Sequence, residues 1–349
     1  MRAARLADRF QKLQPLPDLT GVKTVEQVQQ LGDEYKVIGG VGPLSRTYPV
    51  RDRSGTIFAC KEVLTEGLDP RALEAVTRAI TLQMSLKHPF IVTPSDAFID
   101  SRLGRLYMIT QLVERSEAAY PGPTHDESFL KERTVWNVAA QIIDVLEYLH
   151  SDPLGTGPII HGAISPTNVL ITSEKRVYVT DCGVPTDIRT EMATTLRLVR
   201  PDDWCRAPEV LESHILTPKA DVWSLGCLLY FLVFCKRPFY AQDRKEILMC
   251  IRRFEKPNPD IYHEKRMVDT LLETVSHSSM SPRLTITPSY LNRTCTQPIY
   301  STALIELINS CMTIDYRARP SIPDLLRNPN VNEALTNVRR AFYPLPEHL

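Results

Sequence analysis

The chain has 349 residues, room for one large domain or two modest ones. Its 43% hydrophobic and 23% charged residues are a globular mix, which excludes general disorder. With 41 basic against 41 acidic residues and a pI of about 7.1, the chain as a whole lacks the basic surplus that nucleic acid or an anionic membrane demands.

In chain order, residues 1–33 are polar and broken by Pro15 and Pro17, and read as an N-terminal extension. The opening MRAARLADRFQKL has no unbroken apolar core for a signal peptide, and Asp8 argues against a mitochondrial presequence. From Tyr35 the texture turns β-like: YKVIGG, RTYPVRD and TIFACKEVL, with Ser54-Gly55 marking a hairpin turn between the last two. The spacing predicts a helix over 70–86, then strands over 91–99 and 105–113.

Beyond that point the pattern is mainly helical. Val138, Ile142, Val145, Leu146 and Leu149 make an apolar stripe over 136–149. NVLIT and RVYVT, separated by SEK, predict a second hairpin. Helices are expected over 221–235, 245–254, 302–312 and 322–326, with a polar Ser/Thr/Pro-rich insertion at about 256–300. The apolar run at 222–235 (VWSLGCLLYFLVFC) is too short to span a bilayer and reads as a buried core helix. The plan is a small sheet-rich lobe, 34–113, followed by a larger helical lobe, 114–345. The eight cysteines form no C-x-x-C pair and mostly sit in apolar runs, so reduced thiols in a soluble cytoplasmic protein are expected.

Several motifs carry chemistry. Gly40-Val41-Gly42 begins a turn between strands, where amides can cradle phosphate, although Pro43 removes one donor and Ser45 stands where a third glycine would. Lys61 ends the apolar run Phe58-Ala59-Cys60, placed to face a phosphate pair. Alone, each is as well explained by an ordinary turn and an exposed strand face. The decisive series is His161-Gly162-Ala163-Ile164-Ser165-Pro166-Thr167-Asn168, then Asp181-Cys182-Gly183, Ala207-Pro208-Glu209, Asp221-Val222-Trp223, and Asp315 with Arg319-Pro320.

In that order and spacing the set resembles the signature of the protein-kinase superfamily over about 34–330. The HPFIV run from His88 and the later DYRARPSIPDLL are similar to the NEK-type branch. The resemblance implies a two-lobed α+β kinase-like fold. It implies that Lys61 meets the nucleotide α- and β-phosphates and that Asn168 and Asp181 hold Mg²⁺. It further implies Thr110 as gatekeeper, Gln111 to Val113 as a hinge meeting adenine, and Ala59 and Leu170 sandwiching the ring. Glu209 would pair with Arg319, and Asp221 would hold the catalytic-loop backbone.

The departures from that pattern fall on catalytic positions. Ala163 stands where an aspartate accepts the substrate hydroxyl proton, an assistance worth roughly 10²–10⁴-fold. Ser165 replaces the lysine that neutralises the transferred phosphate, and Gly162 the arginine that couples to a phosphorylated activation segment. Ala79 stands where a helix glutamate would pair with Lys61; Glu74 is on a different face, so Lys61 is expected to lack its usual partner. Gln83 and Cys182 occupy positions of large hydrophobes, and Asp202 that of a threonine. Thr190, Thr194 and Thr195 read as ordinary solvated-loop residues rather than phosphosites.

The sequence expectation is thus a pseudokinase with no catalytic residue of its own, acting as scaffold or allosteric regulator, with ATP and Mg²⁺ as structural ligands. Its protein partners would meet residues 1–33 or the 256–300 insertion. Two alternatives stand beside it. One is a weak, unconventional serine/threonine kinase in which another carboxylate, such as Asp187 or Glu191, or the substrate itself compensates. The other is an interaction module that takes no nucleotide.

Overall fold

The computed structural model describes residues 22–23, 36–37, 46–65, 68, 70–100, 104–114, 130–182, 203–240, 244–257 and 300–343. Gly40, Gly42, Gly183, Asp187, Thr190, Glu191, Thr194, Thr195 and Asp202 lie outside them, as do nearly all of 1–33 and of the insertion.

Six strands form one sheet in the order β1-β5-β6-β4-β3-β2. They are β1 (Val22–Lys23), β2 (Lys36–Val37), β3 (Arg46–Arg51), β4 (Ile57–Leu64), β5 (Asp96–Asp100) and β6 (Arg105–Gln111). All neighbours are antiparallel except β1, a piece of the N-terminal extension that pairs parallel with β5 through Val22↔Ala97. The β3–β4 turn closes because Asp52 accepts hydrogen bonds from Ser54 Oγ at 2.7 Å and the Thr56 amide at 2.8 Å, while Gly55 takes φ +91°.

Strand alternation sorts β4 onto two faces. Cys60 joins Val50, Phe98, Tyr107 and Ile109 in a core on one face. Val63 faces the other way, packing with Leu106 and Met108 against Val76 and Ile80 of α1 (Pro70–Ser85). Ala59 and Lys61 share that second face, so it is the sheet's alternation that aims Lys61 beneath the helix. On α1, Thr77, Thr81 and Ser85 each donate a hydroxyl to the carbonyl four residues back, which satisfies these three hydroxyls locally.

The larger lobe is built on α2 (Glu132–His150) and α4 (Pro218–Phe234), which pack together with the hairpin β7 (Val169–Ile171) and β8 (Val177–Val179) in one core. A 3-10 turn (Asp203–Cys205) and α3 (Pro208–Ser213) precede α4. After it come α5 (Arg244–Arg252), α6 (Thr302–Cys311), α7 (Ile322–Leu326) and α8 (Pro329–Phe342). The apolar run is indeed a core helix: α4 is buried nearly all round, with Val222, Trp223, Leu225, Leu228 and Leu229 fully covered. No described helix is long and apolar enough to cross a membrane. One expectation needs correcting. The strand expected over 91–99 is only Asp96–Asp100, since Pro94 interrupts it and Ile91 instead bridges to Val179 of β8. Helices α3 and α8 carry no sequence prediction at all.

Candidate functional site

Lys61 lies on β4 in register with Met108, two residues beyond Ala59, which is itself opposite Thr110. Its ammonium forms an ion pair with the carboxylate of Asp181, 120 residues further along. The lysine whose usual helix glutamate is missing is paired with Asp181 instead. Glu74 does not supply it, because Glu74 is exposed and binds Arg78 at 2.6 Å one turn along α1, while Ala79 is buried. Asp181 itself sits at φ +65°, a left-handed conformation that aspartate tolerates better than most side chains.

The loop 161–168 is held by its backbone. Asp221, fully buried on α4, accepts the amides of His161 at 2.9 Å and Gly162 at 2.7 Å, and a third contact from His150 Nε2 at 2.9 Å. His161 Nδ1 accepts from the Ala163 amide at 3.1 Å, which leaves Nε2 to carry the proton and donate it to the Thr180 carbonyl at 2.8 Å. Asn168 donates its amide nitrogen to the Ala163 carbonyl at 2.9 Å, and the Asn168 carbonyl receives the Thr180 amide at 2.9 Å. The loop and the segment after β8 that carries Asp181 are thus tied at two points. Gly162 takes φ +70°, where a glycine carries no side-chain strain.

This frame presents no acid at residue 163 and no cation at residue 165. Ser165 is buried and shares a hydroxyl contact of 3.0 Å with Thr167. The segment HGAISPTN holds no carboxylate and no lysine or arginine. With its Nδ2 anchored, Asn168 has its side-chain Oδ1 as a metal ligand, and with the Asp181 carboxylate this makes two hard oxygen ligands, a set that fits Mg²⁺ completed by phosphate and water. Of the residues expected on the adenine side, Ala59 is buried, Thr110, Val113 and Leu170 are half-buried, and Gln111 is exposed.

Three supporting residues escaped the sequence reading. Gln141, buried on α2, spans the β7–β8 turn by donating to the Lys175 carbonyl at 3.0 Å and accepting from the Val177 amide at 2.8 Å. His150 is the second. The third is Arg176, set among aromatic rings behind β8. A polar residue on the apolar stripe of α2 was the one signal available for Gln141.

Buried structural pairs complete the lobe. Arg319 binds Glu209 through two bonds of 2.7 and 3.0 Å, donates to the carbonyls of Thr313 and Lys219, and lies 5.1 Å over the Trp223 ring. With every direction of the guanidinium used, the desolvation cost of this pair is met.

The paired lobes, the lysine–aspartate contact and the aspartate-anchored loop define a kinase-type domain. The sequence matches the protein kinase domain family over residues 34–331, and the chain belongs to that family. It is 26% identical over 270 residues to human serine/threonine-protein kinase Nek10, covering 71% of this chain and 22% of that protein. It is 28% identical over 225 residues to mouse serine/threonine-protein kinase Nek2, covering 63% and 51%. To the MAP3K epsilon protein kinase 1 of Arabidopsis thaliana it is 27% identical over 329 residues, covering 93% and 20%. The chain spans between about a fifth and about a half of the length of these relatives. The Nek kinases among them agree with the NEK-type resemblance of its motifs.

Proposed function

We propose that this protein kinase domain is a pseudokinase: it binds a magnesium nucleotide as a structural ligand, transfers no phosphate, and acts on a protein partner as scaffold or allosteric regulator. The observation that carries the reading is Ala163 in a loop otherwise held in place by Asp221, His161 and Asn168. The backbone that would aim a general base is kept, and the side chain it aims is a methyl group. Neither a substrate hydroxyl nor its proton has a partner there. Ser165 adds no positive charge for the transferring group, and phosphoryl transfer rests mainly on such charge and positioning.

The nucleotide half of the reading rests on Lys61, Asn168 and Asp181. Magnesium, when bound, would neutralise phosphate charge between the oxygens of Asn168 and Asp181. Nucleotide phosphates would compete with Asp181 for Lys61, so binding exchanges one ion pair for another. A ligand that selects the folded state raises its melting temperature according to RT ln(1 + [L]/Kd). The test is thermal unfolding with ATP, with and without Mg²⁺, beside Lys61→Ala and Asp181→Ala. The reading expects a rise that Lys61→Ala removes and that Asp181→Ala makes indifferent to Mg²⁺. An unchanged melting temperature at millimolar ATP would leave an interaction module that takes no nucleotide.

A further inference from the structure

The last turn of α8 reaches back across the lobe to α2 and to the segment between α1 and β5. Arg339 donates Nε and Nη2 to Asp144 Oδ1 on α2 at 2.9 and 2.7 Å, and also reaches Glu147 at 2.5 Å. The Tyr343 hydroxyl donates to Asp144 Oδ2 at 2.5 Å and lies 3.0 Å from His88 Nε2. The directions of these bonds follow from one another. Because the hydroxyl proton goes to Asp144, the His88 Nε2–H is shared between the hydroxyl oxygen and Asp144 Oδ2, 3.3 Å away, and His88 Nδ1 is left to accept the Phe90 amide at 3.2 Å.

Phe90 carries the connection onward. Its carbonyl accepts the Val179 amide at 2.7 Å, and the Val179 carbonyl accepts the Val92 amide at 2.9 Å. Val179 is followed directly by Thr180, which holds His161 and Asn168, and then by Asp181. An apolar half reinforces the polar one. The Phe342 ring packs edge-on against Phe90 at 5.3 Å, and the Arg176 guanidinium lies 5.1 Å from both Phe342 and Tyr178 and 5.9 Å from Phe90. Arg339 is nevertheless about half exposed, at 47%, and the contacts all come from the end of a helix, where local opening is easiest.

We infer that Arg339, Phe342 and Tyr343 form a clasp through which the C-terminal helix positions β8 and the Thr180–Asp181 site. These are positioning residues, since none touches Lys61 or Asp181. The inference is independent of whether nucleotide binds, and so is its test.

The test is hydrogen–deuterium exchange of the full chain, comparing wild type with the paired substitution Arg339→Ala/Tyr343→Phe and with the milder Tyr343→Phe alone. The reporting amides are Val92, Val179 and Thr180, and the reference is the Met312 amide at the end of α6, bonded to Ile308. Release of the clasp is expected to speed exchange at the three reporters by about tenfold or more while the reference holds. Reporters unchanged in a folded variant would overturn the inference. So would an equal acceleration at Met312, which would mean that α8 contributes only to global stability. Should the paired variant fail to fold, Tyr343→Phe alone decides by the same comparison.

Discussion

At Ala163 and Ser165 the departure from an active kinase is confined to side chains, because the surrounding hydrogen bonds of the loop are in place. Lys61 and Asp181 differ in kind: both are present, and each satisfies the other. Gln83 is a third case. It is buried on α1, and its side-chain nitrogen finds no hydrogen-bond partner among the described residues. A buried donor left unmade costs about 1–3 kcal/mol. Gln83→Met, of similar length and without the amide, is therefore expected to raise the melting temperature by several degrees in a thermal scan. A lower melting temperature would show that the amide has a use in the fold.

At the scale of elements, Gly226 sets how closely α4 and α6 approach. A Cβ there would lie 2.7 Å from Cys311 Cβ and 2.8 Å from Met312 Cγ. Gly226→Ala should cost about 1–3 kcal/mol as the helices are pushed apart, seen as a lower denaturant midpoint; an unchanged midpoint would mean the contact is soft. Most elements were legible from local pattern: the β3–β4 hairpin from Ser54-Gly55, α2 from its apolar stripe, and α4 from an unbroken apolar run. Helix α8 was legible in principle, since Asn328 caps it and Val331, Ala334, Leu335 and Val338 repeat at helical spacing. It went unread because the motif series ends at Arg319-Pro320. The Lys61–Asp181 contact joins residues too far apart for any local pattern to reveal, as does the clasp between α8 and the segment 88–90. The run 91–99 misled because Ile91 and Val92 are apolar for contact with β8, not for a place in the sheet.

For the whole molecule, the group that ties α8 to α2 also predicts acid behaviour. Burial pushes the Asp144 carboxyl up, but the hydrogen bonds of His88, Tyr343 and Arg339 outweigh it and hold the group below its usual value of 3.8. A carboxyl depressed in the folded state contributes stability that is fully present above the unfolded value and lost as pH falls through the folded one. Asp144→Asn should therefore be less stable near neutrality and lose less on acidification between about pH 5 and pH 2, measured by denaturant unfolding at each pH. Parallel curves for variant and wild type would contradict this account of the clasp.

The proposed function rests on a loop that carries a methyl group at residue 163 being unable to drive phosphoryl transfer. The direct measurement is transfer of labelled γ-phosphate from Mg-ATP to the chain itself and to generic protein substrates, set beside Asp181→Ala. Equal, background-level counts from both proteins are the predicted result. Steady incorporation by the wild-type chain that vanishes in Asp181→Ala would contradict it and identify an active kinase.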